Sequence, residues 1–254
     1  KILNLNLNPI FDSDFINNCK IQLSQNGVLV IENFLSANAV SNLQYEAKSL
    51  RSLAFFCRQN HNVYLLEPEP SLSDKHIRNL QQVSDKGCVP HDQIPKGSPL
   101  RTLYEWSGFK SFIESIMDVP IFPYADLLSS ININYYEKGQ QLGWHFDNAS
   151  FAITLMLQSP EEGGEFEYLE KVRNQEAGDE GYEDTEAIIR GRKKPKKLKI
   201  VDGSLALFMG RNSLHRVTPV VGDVSRILVT LNFNTKPGLM LSENARMTFF
   251  GRKD

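Results

Sequence analysis

What most narrows the fold of this chain is a change of hydrophobic period near residue 127. From there to residue 234, apolar residues recur at every second position in short runs punctuated by glycine and proline. Ile131, Ile133 and Tyr135 alternate with Asn132, Asn134 and Tyr136, and further runs occupy 151–157, 164–169, 198–201, 204–209, 214–218 and 226–234. Successive side chains of a strand leave from opposite faces, so this period predicts strands with one buried side. Short strands joined by Gly and Pro turns predict a roll. In the last run, Ile227, Val229, Leu231 and Phe233 make an apolar face that can pack on helices. Arg226, Leu228, Thr230, Asn232 and Asn234 make a largely polar opposite face, and a barrel strand with a polar inner face lines a site.

Ahead of the roll the period is helical. A short helix is expected over 12–23, with Asp12 or Ser13 as N-cap and Phe15, Ile16, Cys19 and Leu23 on one face. Val28-Leu29-Val30-Ile31 reads as a strand, and Ser36 caps a helix expected from Ala37 to about Phe56. The segment 67–99, rich in Pro, Ser and Asp, is expected to be a long irregular loop, a lid or binding loop. A helix over 101–117 then leads into the roll. The expected fold class is mostly β with flanking helices packed on one sheet. At 254 residues and 41% hydrophobic content the chain is expected to be a single domain. Within it, 1–126 would be support and loop, and 127–238 the barrel core with an excursion at 170–199.

Inside the roll, His145 and Asp147 are two apart, so on extended backbone an imidazole and a carboxylate leave from one face. Such a pair can hold a divalent metal, and a second His from a distant strand completes a two-His-one-carboxylate facial triad with open positions on Fe(II). His215 is the natural candidate. Upstream stands Asn134-x-Tyr136-x-x-Gly139, and Arg226 follows His215 by eleven residues. The whole pattern resembles the Fe(II)/2-oxoglutarate-dependent dioxygenases. That resemblance implies a double-stranded β-helix core of the jelly-roll, cupin-like type, with Fe(II) as cofactor and 2-oxoglutarate and O2 as co-substrates. It implies His145, Asp147 and His215 as metal ligands and Arg226 on the distal carboxylate of 2-oxoglutarate, where a planar guanidinium fits bidentately. Tyr136 and Asn134 are further cofactor-binding candidates, although both also fit core packing with a satisfied polar tip.

A narrower resemblance runs from about Gly27 to Gly238. Trp144-His145-Phe146-Asp147-Asn148-Ala149-Ser150-Phe151, Gly163-Gly164-Glu165-Phe166-Glu167-Tyr168 and Phe208-x-Gly210-Arg211-x-Ser213-Leu214-His215-Arg216-Val217 resemble the subgroup of free-amino-acid radical halogenases and their hydroxylase relatives. Halogenases of that subgroup replace the metal carboxylate by Gly, which opens a position for chloride. This chain keeps Asp147, which implies a hydroxylase, with desaturation or another C–H oxidation as variants. The implied substrate is a free amino acid, lysine-like or less charged. Arg78 is the candidate for its carboxylate, and Asp126, Thr230 and Asn232 for its ammonium groups, with Phe151 also in the substrate set. Leu142 and Leu127-Leu128 make the neighbourhood apolar. Leu228 departs from the Arg-x-Ser/Thr pattern of many relatives, removing one hydrogen bond to 2-oxoglutarate. Trp144 reads as a core aromatic. Gly163-Gly164 would allow close backbone approach to the site.

The remaining features restrict partners. A net charge of −2 gives no global basic field for nucleic acid or membrane. Residues 176–186 are acidic and 190–199 basic, a pair of blocks that partly neutralise each other on an exposed excursion. No aromatics interleave the basic run, so nucleic acid is not the expected partner. No apolar run approaches the ~18 residues of a membrane span. Lys1-Ile2-Leu3-Asn4 lacks a secretory profile, and Cys19, Cys57 and Cys88 form no Cys-x-x-Cys, so a reducing cytoplasm is expected. His61, His76 and His91 lie in polar sequence and read as solvated. Two rival functions remain: an oxygenase acting on a protein, carrier-bound amino acid or nucleotide, and a non-catalytic metal-binding barrel.

Overall fold

The computed structural model describes residues 1–254, and its first elements follow local signals. Helix α1 (Ser13–Asn26) starts at Asp12, whose carboxylate accepts from the Phe15 amide at 2.9 Å, and ends on Gly27 at φ 67°. The carboxylate satisfies an orphaned amide, and glycine takes the left-handed cap without a Cβ clash. Strand β1 (Val28–Ile31) follows, then helix α2 (Ala37–Leu50), capped by Ser36.

Three expectations fail beyond that point. The helix expected to reach Phe56 stops at Leu50, and after one 3-10 turn the chain becomes strand β2 (Phe55–Asn62). The segment expected to be irregular contains strand β3 (Gln81–Val89), paired antiparallel with β2 along its length. Neither strand has a strong local signature: β2 is polar and half-exposed, and the backbone ladder with its partner supplies what side-chain pattern lacks. The third helix is two, α3 (Pro99–Glu105) and α4 (Ser107–Met117), broken at Trp106 with ψ 120°. A Cβ at Gly108 would lie 2.4 Å from the Trp106 ring, so glycine lets the indole fold back over the break.

The roll then forms from β4 (Phe122–Pro123), β5 (Ile131–Tyr136), β6 (Leu142–His145), β7 (Ala152–Gln158) and β8 (Phe166–Leu169). After helix α5 (Tyr182–Ile189) come β9 (Lys196–Leu198), β10 (Leu205–Phe208), β11 (Leu214–Val217), β12 (Arg226–Leu231), β13 (Phe233–Asn234) and a closing helix α6 (Glu243–Phe250). Seven strands form one sheet in the order β1-β10-β7-β12-β5-β3-β2, and four form a second in the order β6-β11-β8-β9. Val28 and Phe208 from the first pack on Tyr168 from the second, which makes the pair a double-stranded β-helix.

Alternation sorts the side chains of the large sheet. Ile131, Ile133, Ile153, Leu155, Ile227 and Val229 join Leu43, Phe109 and Phe112 of the helices in the main core. Burying such a side chain contributes roughly 1.5–3 kcal/mol, so the helix-covered face is where stability concentrates. Phe151 belongs to this core, not to the site: it has the parity of Ile153 and Leu155 and faces the helices. Asn132, Asn134, Tyr136, Arg226 and Thr230 have the opposite parity and face the small sheet.

The small sheet is covered on its outer side by Trp144, Phe146 and Leu214 packed with Val63, Tyr64, Val172 and Ile188. The excursion at 170–199 is therefore part of the architecture, because α5 lays Ile188 on that cluster and β9 extends the sheet. Its charges pair as Lys193–Asp184 (3.0 Å), Arg190–Glu186 (2.8 Å), Lys197–Glu165 (2.7 Å) and Lys196–Glu170. No helix is long and apolar enough to cross a membrane.

Candidate active site

β6 and β11 are antiparallel neighbours in the small sheet, and their register sets His145 directly opposite His215. The ring centroids are 4.1 Å apart. Each Nδ1–H donates to the carbonyl two residues back, His145 to Gly143 at 2.8 Å and His215 to Ser213 at 3.0 Å. Those bonds fix the tautomer and leave both Nε2 lone pairs free. Both Nε2 atoms lie 3.5 Å from Asp147 Oδ1, and the three ligand atoms are within 4.8 Å of one another. Asp147 is anchored by its amide, which donates to the Gly210 carbonyl at 3.1 Å.

Electrostatics puts this group in the state a metal requires. Burial, reinforced by the neighbouring His215, pushes His145 down to about 4, so its imidazole is neutral at pH 7. Burial alone would raise Asp147, yet the charge of His215 and hydrogen bonds from both histidines hold it far below the usual carboxylate range. A neutral His145 imidazole and an ionised Asp147 carboxylate are deprotonated ligands of the kind a facial triad uses. Phe166 stacks on His215 at 5.6 Å and Phe208 meets it edge-on at 4.7 Å, which walls that side from water.

Behind His145 stands a residue read from the sequence as solvated. His61 projects from β2 edge-on to His145, centroids 6.2 Å apart, and its Nε2 is 2.6 Å from Ser84 Oγ. Ser84 Oγ also accepts from the Gly143 amide at 3.1 Å. Gly143 is thus held at its amide by Ser84 while its carbonyl orients His145. Only the unanticipated β2–β3 hairpin brings His61 and Ser84 here. His91 is not solvated either, since its Nε2 lies 2.9 Å from Arg101 Nη1.

Arg226 pairs across strands with Tyr136 and is buried to 1% exposure. Its guanidinium centre is 5.3 Å from the Tyr136 ring centre, it makes no ion pair, and Nε and Nη1 have no hydrogen-bond partner. Burial lowers its pKa, partly offset by Tyr136. A buried, unpartnered planar fork fits the carboxylate of a bound co-substrate. Gly164, at φ 60°, runs close by: a Cβ there would be 3.3 Å from Arg226 Cδ.

The other candidates separate. Asn134 faces inward, but its Oδ1 accepts from Lys86 Nζ at 2.7 Å and its amide points at backbone carbonyls. Asp126 is turned into its own loop, accepting from the Leu128 and Ser129 amides, the Ser129 hydroxyl and the Leu241 amide. Asn232 donates to Ser129 O at 2.6 Å and Asn132 Oδ1 at 2.9 Å. Thr230 stays on the inner face, half-buried, opposite Asn132. Arg78 is displaced from the role expected for it: it donates to Glu67 O at 3.0 Å and lies over Tyr64, on the outer side of the small sheet. Leu142 alternates with Gly143 and His145 and so leaves on the opposite face, while Leu128 packs on Cys88 and Phe250. Tyr124 was missed in the sequence. It is half-buried in the field of Asp147 and Asp126, and burial first, then those two carboxylates, raise its pKa.

A double-stranded β-helix carrying a His-x-Asp…His cluster between its sheets is the Fe(II)/2-oxoglutarate-dependent oxygenase arrangement. The chain belongs to the halogenase D family, whose model matches residues 11–246. Its fold is similar to that of a prolyl hydroxylase from Trichoplax adhaerens, solved with a hypoxia-inducible-factor peptide, at 17% identity, TM-score 0.59, covering 91% of this chain and 93% of that one. It is similar to the carbocyclase SnoK of nogalamycin biosynthesis (15%, TM-score 0.59, 90% and 89%). A 2-oxoglutarate–Fe(II) oxygenase-family protein from Burkholderia pseudomallei is also similar (13%, TM-score 0.57, 88% and 92%). No curated protein sequence matches the chain significantly. Fe(II) is accordingly its cofactor and 2-oxoglutarate and O2 its co-substrates, and the three-ligand cluster and unpartnered Arg226 fit the first two.

Proposed function

We propose that this protein hydroxylates an unactivated C–H bond of a small substrate, a free amino acid, with succinate and CO2 as co-products. The observation that carries the reading is Asp147, whose Oδ1 stands 3.5 Å from both histidine Nε2 atoms and fills the place that a halogenase of the resembling subgroup leaves to chloride. Iron held there with 2-oxoglutarate and O2 supplies the oxidising equivalent for C–H cleavage.

The chain's own residues supply the rest. His145, His215 and Asp147 would hold the metal through two imidazole nitrogens and one carboxylate oxygen. Arg226 receives the distal carboxylate of 2-oxoglutarate beside Tyr136, with Leu228 next to it contributing no hydrogen bond. Phe166 and Phe208 exclude water behind His215. Tyr124, in the field of Asp147, and Thr230, on the inner face of β12, are the side chains offered to the substrate. A macromolecular substrate docked by residues 190–199 is disfavoured, because Arg190, Lys193, Lys196 and Lys197 are already ion-paired within the chain.

The test is an anaerobic titration with Fe(II) and 2-oxoglutarate, then exposure to O2 with a panel of free amino acids and added chloride, scored by mass. A product heavier by one oxygen, lost in Asp147→Ala, supports the proposal. A chlorinated product, or full activity of Asp147→Ala, would sink it.

A further inference from the structure

Two cations without an ion-pair partner stand on neighbouring elements, Lys86 beside Asn134 on β3 and Arg246 on α6. Lys86 stands two residues before Cys88 on the inner face of β3, and the only acceptor for its ammonium is Asn134 Oδ1 at 2.7 Å. An ammonium has three donors, so N–H groups remain for a ligand. Arg246, on the inward face of α6, is 8% exposed, forms no ion pair, and has its Nε buried without a partner. Glu243, one turn earlier, is engaged by Lys253 at 2.6 Å.

The helix that carries Arg246 also reaches Lys86. Phe249 and Phe250 follow Arg246 by three and four residues, so they lie on its helix face. The Phe249 ring centre is 5.7 Å from Lys86 Nζ, and Phe250 packs on Cys88 and Leu128. The segment leading into α6 is tied to the loop that carries Tyr124: the Leu241 amide donates to Asp126 Oδ2 at 3.1 Å and the Ala125 amide to Leu239 O at 2.8 Å. A guanidinium buried without a counter-charge is destabilising unless an anion completes it. Arg226 is orphaned separately and answers to the co-substrate. The half-buried Lys86 ammonium and the unpartnered Arg246 Nε remain available to a second anion.

We propose that Arg246 and Lys86 receive an oxyanion of the substrate, a carboxylate or a phosphate, which docks between α6 and β3. The inference rests on reading the site as one that oxidises a small substrate, and it assigns that substrate's charged end. Arg246 contributes a planar fork and Lys86 a point charge, the combination that grips an oxyanion from two sides. Arg78, behind the small sheet, plays no part.

The experiment uses the full chain with Zn(II) in place of iron and saturating 2-oxoglutarate, labelled with nitrogen-15 at arginine, and titrated separately with acetate, glycine and inorganic phosphate. The expected result is a saturable shift of the Arg246 Nε resonance, assigned by its loss in Arg246→Gln, while the Arg226 resonance stays fixed. Preference for acetate and glycine identifies a carboxylate, and preference for phosphate identifies a phosphorylated substrate. Lys86→Met should weaken the anion response about tenfold. No saturable shift with any of the three anions, or a shift of Arg226 in step with Arg246, overturns the proposal. Because nothing turns over in this titration, its failure is distinct from failure to oxidise an amino acid.

Discussion

Gly210 holds open the space that the Asp147 carboxylate occupies: a Cβ at position 210 would lie 1.8 Å from Oδ2 and 2.5 Å from the carboxyl carbon. The demand is steric, since the Gly210 carbonyl also accepts from the Asp147 amide and keeps the two backbones together. Gly210→Ala should therefore fold but swing the carboxylate off the histidine pair, weakening iron binding on the order of 10- to 100-fold. Anaerobic Fe(II) titration beside a thermal melt checks this, and wild-type affinity in the variant would refute it.

Arg226 gives a prediction of two signs. Its side chain is buried without an ion pair, so Arg226→Met removes an uncompensated charge from the interior. The cofactor-free variant should be at least as stable as the wild type, because apolar replacements of buried charges are often neutral or stabilising. Its half-saturating 2-oxoglutarate concentration should nevertheless rise about 10- to 100-fold, the worth of a charge-assisted hydrogen-bonded pair. A lowered melting temperature with unchanged 2-oxoglutarate dependence would reverse the assignment.

Ser84 should matter although it touches no ligand atom. Ser84→Ala strips the Gly143 amide of its acceptor and leaves His61 Nε2 without its 2.6 Å partner. Leaving such groups unsatisfied costs about 1–3 kcal/mol. Denaturant unfolding should register that loss, and metal affinity should fall with it because Gly143 orients His145. Ser84→Thr, which keeps the hydroxyl, should recover part of both.

Acid should destabilise the metal-free protein before its carboxylates titrate. His145 is held at about 4 in the fold, below its ordinary 6.5, so between those values the unfolded chain binds more protons. The contribution is complete above the unfolded value and is lost as pH falls toward the folded one, on the order of 3 kcal/mol for this group. His61 and His91, both lowered chiefly by burial, act in the same direction. Melts of metal-free protein at about pH 7 and about pH 4.5 should differ accordingly, and a flat profile would place His145 in water.

The period-two pattern from Ile131 onward and the caps at Asp12 and Ser36 were legible in the sequence because each rests on local spacing or residue type, while His145-x-Asp147 was joined to His215 and Arg226 through the family resemblance. Phe151 was misplaced by a single step of parity, which sends a strand residue to the opposite face. Asp126 and Arg78 were chosen for charge, but charge does not reveal whether a group's hydrogen bonds are already spent on its own loop.

The amino-acid order by itself determined the class of fold and named the candidate metal ligands, since strand alternation and the chemistry of a His-x-Asp pair are properties of a few neighbouring residues. Tertiary structure alone decided that β2 and β3 are strands, that His61 and Ser84 buttress His145, and that Phe249 of α6 lies against Lys86 of β3. Those residues lie far apart in sequence, in segments of weak local preference. Only the pairing of β3 with β5 and the docking of α6 under Phe250 bring them together.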